Sequence, residues 1–212
     1  MPDPADLLDR WTALLGPGAA PAGRDLLERW AEPHRHHHDL RHLAEVLDAL
    51  DALTGGGPPP AVVLAAWFHD AVYEGRAGED ERASAELAAQ VLPALVDERT
   101  VDEAVRLVLL TAGHRPGPGD DAGALLCDAD LSVLAAPPER YAAYVTGVRR
   151  EHAHVDDAAF RAGRARVLRA LLDGSLFTTA AGATRWEARA RAQVTAEVDR
   201  LTGPAGGAAP PP

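Results

Sequence analysis

The sequence predicts an all-α protein, on three observations. Apolar residues recur at i, i+3, i+4 and i+7 through most of the chain, as in Leu40, Leu43, Leu47 and Leu50, the spacing that lays one stripe along a helix. No segment sustains the two-residue alternation of β-branched side chains that marks a half-buried strand. The breakers Gly16–Gly23, Gly55–Pro58, Gly75–Gly78, Arg115–Gly119 and Gly174 are short, which suits turns between helices better than boundaries between domains.

The helices expected, in order, are Pro4–Leu15, Gly23–Ala31, His38–Leu53, Pro59–Tyr73, Asp80–Leu92, Asp97–Ala112, Asp121–Leu134, Pro138–Glu151, Asp156–Leu172 and Ala183–Leu201. The first is acidic and amphipathic, and the third carries the leucine stripe. The fourth opens on Pro59 and Pro60, residues suited to a first helical turn, and holds the longest apolar run, Ala61 to Phe68. The sixth can be capped by Asp97 or Thr100. Residues 1–202 read as one domain. The tail 203–212 contains only Gly, Ala and Pro and is expected to be disordered.

At 212 residues the chain can bury a core without disulfides. Its single cysteine, Cys127, rules out an internal disulfide and fits a reducing cytoplasm. The N-terminus lacks the basic and apolar regions of a signal peptide. No run approaches the roughly 18 apolar residues of a membrane helix. A formal net charge of −11 argues against general nucleic-acid binding, which needs clustered cations. It leaves room for a small phosphorylated substrate, since a bound metal supplies a local positive centre.

The chemistry-bearing residues fall in three places. Five of the nine histidines lie between His34 and His42, and His38 and His42, four apart, would share a helical face. The apolar run ends at His69-Asp70. Cys127-Asp128-Ala129-Asp130 places two carboxylates inside another apolar stretch. Buried carboxylates without a cation are costly, and imidazole and carboxylate are good ligands for divalent ions. One cation held by His42, His69, Asp70 and one of the two aspartates would offset these costs together. The plainer readings are a solvated His-rich loop, a helix cap at Asp128, and surface positions for His152 and His154.

The order H…HD…D resembles the HD superfamily of metal-dependent phosphohydrolases, and most closely a group of small bacterial predicted HD phosphohydrolases. The stretches that carry the resemblance are EPHRHHHDLRHLAEVL (Glu32–Leu47), AAWFHDAVYE (Ala65–Glu74), EDERASAELA (Glu79–Ala88) and LLCDADLSVLAA (Leu125–Ala136). It implies an HD-domain-like helical bundle around a metal site, and hydrolysis of a phosphoester. His37–Val46 also looks like the metal-binding opening of cyclic-nucleotide phosphodiesterases, Tyr-His-Asn-x-x-His, with His37 and Asp39 departing from the pattern. By that resemblance His38 is a proton donor to the leaving group and His42 a ligand. Asp130-Leu131-Ser132 matches an Asp-Leu-Ser that carries the distal ligand, which selects Asp130 over Asp128.

On this reading the metal activates a water that Asp70 also orients, and His38 protonates the leaving alkoxide. His114 is expected to bind a substrate phosphate oxygen or a second metal. Arg35 or Arg41 would grip the phosphate, because Arg matches phosphate bidentately. Glu81, with Asp80 and Asp128, would orient the ligand imidazoles from behind. Asp80 equally suits a first helical turn. The ion is one of Mn, Fe, Co, Ni, Zn or Mg. The substrate expected is a nucleotide or related small phosphoester, and a homodimer is left open. The competing functions are a non-catalytic nucleotide-sensing module and a helical protein whose metal is structural.

Overall fold

The computed structural model describes residues 2–203, and the predicted tail from residue 204 onward lies outside them. Among the described residues the chain is built from ten α-helices and no strand. They are α1 (Pro4–Leu15), α2 (Ala20–Trp30), α3 (Leu40–Thr54), α4 (Pro60–Phe68), α5 (Asp80–Val91), α6 (Glu98–Leu110), α7 (Asp121–Asp130), α8 (Pro138–Glu151), α9 (Asp157–Leu172) and α10 (Ala180–Thr202). Among the described residues no helix is long and apolar enough to cross a membrane.

Local chemistry explains the helix starts. Side chains of Asp3, Asp39, Asp97, Asp120, Asp156 and Thr179 each accept a backbone N–H of the turn they open, satisfying donors that the helix itself leaves unpaired. Asp39 is decisive for the site. It caps α3 through the N–H groups of Arg41 and His42, so the helix starts at Leu40 and not at His38 as expected. The expectation that His38 and His42 share a helical face is thereby corrected, because His38 sits in the loop before the cap.

α4 is apolar all round, and Val62, Leu64, Ala65, Ala66, Trp67 and Phe68 are all buried. Such a helix belongs in the middle of a bundle, and α3, α5, α6 and α7 pack around it. Trp11 and Trp67 meet edge to face at 5.1 Å, and Trp30 Nε1 donates to Trp67 O at 3.0 Å. A second apolar cluster joins the 3-10 segment Leu131–Ala135 to α8, α9 and α10. Trp186 on α10 packs against both clusters.

Three boundaries differ instructively. α2 begins at Ala20 rather than Gly23, because Gly23 is a packing position inside the helix: a Cβ there would lie 2.5 Å from Trp11 Cδ1. α4 ends at Phe68, so His69 and Asp70 lie on the turn that follows rather than within the helix. α7 ends at Asp130, and the chain tightens into 3-10 geometry from Leu131. Gly203, assigned to the tail, still donates its N–H to Asp199 O at 2.8 Å and closes α10.

Candidate metal centre

Three of the helix ends just described meet at one point. His42 comes from the first turn of α3, His69 and Asp70 from the turn that follows α4, and Asp130 is the last residue of α7. The Nε2 atoms of His42 and His69 face each other at 3.2 Å. Asp130 Oδ1 lies 3.0 Å from His42 Nε2 and 3.6 Å from His69 Nε2. Asp70 Oδ2 lies 3.2 Å from His69 Nε2 and 3.8 Å from His42 Nε2. Donors about 2.1 Å from a shared divalent ion sit roughly 3.0–3.5 Å from one another, so this spacing suits one ion. His42, His69 and Asp130 form a group that could hold a metal ion.

Two further features fit a cation. His69 Nδ1 lies 2.8 Å from Ala66 O; the carbonyl only accepts, so Nδ1 carries the proton and the lone pair of neutral His69 is on Nε2, facing the cluster. Asp70 and Asp130 both stand at the C-terminal ends of helices, where the backbone dipole is negative and carboxylates are disfavoured. Burial would raise both carboxyl pKa values, yet the facing histidines, His69 foremost, hold them well below the ordinary range. Conversely, the charges of Asp70 and then Asp130 outweigh burial and raise the His69 pKa. The place attracts positive charge.

Beside it lies a second arrangement that the sequence did not announce. Glu151, the last residue of α8, places Oε1 against the backbone N–H groups of His36, His37 and His38, at 2.7, 2.7 and 3.0 Å. Its Oε2 lies 2.8 Å from His38 Nδ1 and accepts from Tyr73 OH at 3.1 Å. The ring of Tyr73 stacks on His38 with centroids 4.2 Å apart. Burial would lower the His38 pKa, but Asp70 and Glu151 outweigh it and raise it. Burial would likewise raise Glu151, but the His38 contact and the backbone donors hold it down at about 2. Glu151 stands 113 residues from His38 in sequence, and within Arg149-Arg150-Glu151-His152 it reads as a solvated helix end.

The depressed Glu151 carries a stability prediction. Its contribution is complete above the ordinary glutamate value of 4.5 and is lost as pH falls toward about 2. Acid unfolding of the wild type should steepen across that window, and Glu151→Gln should flatten it when melting is followed by circular dichroism. A second prediction concerns the backbone that brings α8 to this loop. A Cβ on Gly147 would lie 2.5 Å from His36 O and 3.1 Å from His37 Cβ. Alanine favours a helix interior by up to about 1 kcal/mol over glycine, but overpacking against fixed backbone costs about 1–3 kcal/mol. Gly147→Ala should therefore lower the melting temperature despite its better helix propensity.

Other expected site residues are placed differently. Arg35 does not grip a substrate: its side chain is fully buried, donating to Glu32, to His38 O and Asp70 O, and to Ala71 O. It ties the His38 loop to the Asp70 turn, between the rings of Trp30 and Tyr73. Arg41 is exposed and bonds Glu45. Glu81 and Asp80 do not support the imidazoles. Glu81 accepts from Gly78 N, and Asp80 from Glu74 N and Arg76 N, so both shape the loop before α5. Asp128 accepts from Thr178 N, Thr179 N and Thr179 Oγ1, anchoring the start of α10 instead of a ligand. His114, at φ 49°, lies with Nε2 2.5 Å from Asp130 Oδ2 and so joins the cluster through that carboxylate. His37, unassigned in the sequence, is buried between the rings of His38, His42 and Tyr144, and desolvation followed by its histidine neighbours lowers its pKa.

The cluster opens into a cavity of about 930 Å³, bordered by His38, His69, Asp70, Tyr73, His114 and Asp130 on the metal side. Comparison of the chain with models of known protein families, with curated proteins and with solved structures finds no match.

Proposed function

We propose that the protein is a metal-dependent phosphohydrolase acting on a small phosphoester, with nucleotides and their relatives the first class to test. The observation that carries this reading is the convergence of two imidazole nitrogens and two carboxylates on one point, at the wall of a cavity that His38 also borders. His42, His69 and Asp130 would be ligands, with Asp70 the fourth. The resemblance of His42, His69-Asp70 and Asp130 to the HD pattern supports the same choice. Mixed nitrogen and oxygen donors suit Mn²⁺, Fe²⁺, Co²⁺, Ni²⁺ or Zn²⁺, and Mg²⁺ belongs in the same screen. Such an ion supplies Lewis acidity toward a phosphoryl oxygen and lowers the pKa of a water toward neutrality.

The protein's own groups do the rest. Glu151 accepts from His38 Nδ1–H, and Asp70 and Glu151 together raise the imidazole pKa, which favours the protonated ring as a donor to a leaving alkoxide. Tyr73 stacks on the ring and shares the Glu151 carboxylate, which fixes the plane of His38. Arg35 fixes the spacing between the His38 loop and the Asp70 turn. His114 holds the outer oxygen of Asp130, leaving Oδ1 turned toward the two imidazoles.

The test is a panel of nucleotides and generic phosphoesters, assayed with each of the six ions. Turnover that chelation abolishes and one of these ions restores is expected. A protein with stoichiometric metal that hydrolyses nothing on the panel would overturn the reading.

A further inference from the structure

The cavity has a second charged wall, on α8 and α9, that the chemistry above does not use. Tyr144, Val148, Phe160, Gly163, Arg164 and Val167 border it there. Arg76, Arg115 and Arg166 also border the cavity and are exposed. Arg164 differs from them, because its side chain is only 12% exposed and is built into place. Its Nε donates to Glu197 Oε1 at 2.9 Å and its Nη2 to Tyr144 Oη at 2.5 Å. Tyr141 donates to the other oxygen of Glu197 at 2.5 Å. The guanidinium also lies over the Tyr144 ring, 4.9 Å from its centroid. Residues of two neighbouring helices, α8 and α10, therefore hold one face of the fork. Nη1 has no hydrogen-bond partner among the described residues, and Arg164 borders the cavity.

The charges around this wall decide what it attracts. Of the carboxylates that border the cavity, Asp80, Glu81 and Asp128 are committed to backbone N–H groups, and Asp70 and Asp130 to the histidine cluster. Asp173 lies exposed at the rim. Apart from Asp173, the carboxylates that border the cavity are thus engaged elsewhere, whereas Arg164, though paired with Glu197, keeps a donor without a partner among the described residues. The Tyr144 ring stands 4.6 Å from His37, which stands 4.7 Å from His42. The rings of Tyr144 and His37 thus lie between the guanidinium and His42, so Arg164 is set apart from the cluster along the cavity wall.

We propose that Arg164 is a specificity-determining residue that binds a second anionic group, so the preferred phosphoester carries a further phosphate or carboxylate on its alcohol portion. This rests on the phosphohydrolase reading for the reacting phosphate, but Arg164 itself touches no part of the metal cluster. Arg binds such oxyanions through directed N–H donors, and here the donor is pre-positioned by Glu197 and Tyr144.

The test compares adenosine 3′,5′-bisphosphate with adenosine 5′-monophosphate, using the full-length protein with and without added metal. Calorimetry should show the bisphosphate binding more tightly, and Arg164→Gln should remove about ten- to hundredfold of that affinity, as expected for a hydrogen bond to a charged group. Arg164→Lys should restore part of it. In turnover, Arg164→Gln should raise KM for the bisphosphate while leaving p-nitrophenyl phosphate, which has no second anion, unaffected. Equal loss for all probes would make Arg164 a structural clamp and overturn the proposal, as would no loss for any. Should Arg164→Gln not fold, the wild type decides: absence of a preference for the bisphosphate overturns the proposal, and its presence upholds it. Preferential binding with no hydrolysis of anything would sink the phosphohydrolase reading while leaving the Arg164 subsite standing.

Discussion

Asp130→Ala should abolish the metal-dependent rise in melting temperature and reduce hydrolysis by about a thousandfold or more. Asp130 is the residue the others converge on: Oδ1 faces both imidazoles, at 3.0 and 3.6 Å, and Oδ2 lies 2.5 Å from His114. An ion at a thousand times its dissociation constant stabilises the folded state by about 4 kcal/mol. In a domain of this size that corresponds to a rise of roughly 10 °C, read by differential scanning fluorimetry with and without chelator. The variant should show almost none of it. A loss of about 4 kcal/mol of transition-state stabilisation is the thousandfold fall in rate. Asp128→Ala is the matching control. Asp128 holds the backbone of Thr178 and Thr179, so this variant should melt lower but keep its response to metal.

Glu151→Ala should be the most destabilising single change in the neighbourhood of the site. Five donors lose their acceptor at once: three successive backbone N–H groups, His38 Nδ1–H and the Tyr73 hydroxyl. Each hydrogen bond to a charged group is worth about 1.5–3 kcal/mol, so losing the shared acceptor of several donors costs about 3–5 kcal/mol after water replaces part of it. The expected fall in melting temperature is about 10–15 °C. Glu151→Gln retains an oxygen for the backbone donors and should fold. It removes a charge that raises the His38 pKa, so the basic limb of a kcat/KM profile should move to lower pH. An unchanged limb would remove His38 from the proton-donor role.

The fold was readable because its signals are local. Helical apolar spacing, proline in first turns and aspartate caps each act within a few residues, and all ten expected helices are present. Boundaries failed where a local signal was overruled. Gly23 reads as a breaker until Trp11 is known to lie against it. Asp39 reads as part of a helix that it in fact caps. His69-Asp70 and the Asp128/Asp130 pair were readable because they interrupt apolar stretches, where a polar side chain needs a partner, whereas His42 was singled out by its spacing from His38 and by the resemblance, which also selected Asp130 over Asp128. Glu151 was not readable, because the loop it organises is distant in sequence and its immediate neighbours Arg149, Arg150 and His152 are polar. Arg35, Glu81 and Asp128 were assigned to substrate or ligand imidazoles, and each turns instead to backbone. An arginine or carboxylate near a site in sequence carries no sign of which of these it will do.

The central claim is that His42, His69, Asp70 and Asp130 bind one divalent ion as a unit. Elemental analysis of the wild type and of His42→Ala, each exchanged into metal-free buffer after loading, tests it most directly. The wild type should retain a transition metal stoichiometrically, and the variant should lose nearly all of it. Equal metal content in the two proteins, or none in a folded wild type loaded with each candidate ion, would contradict it.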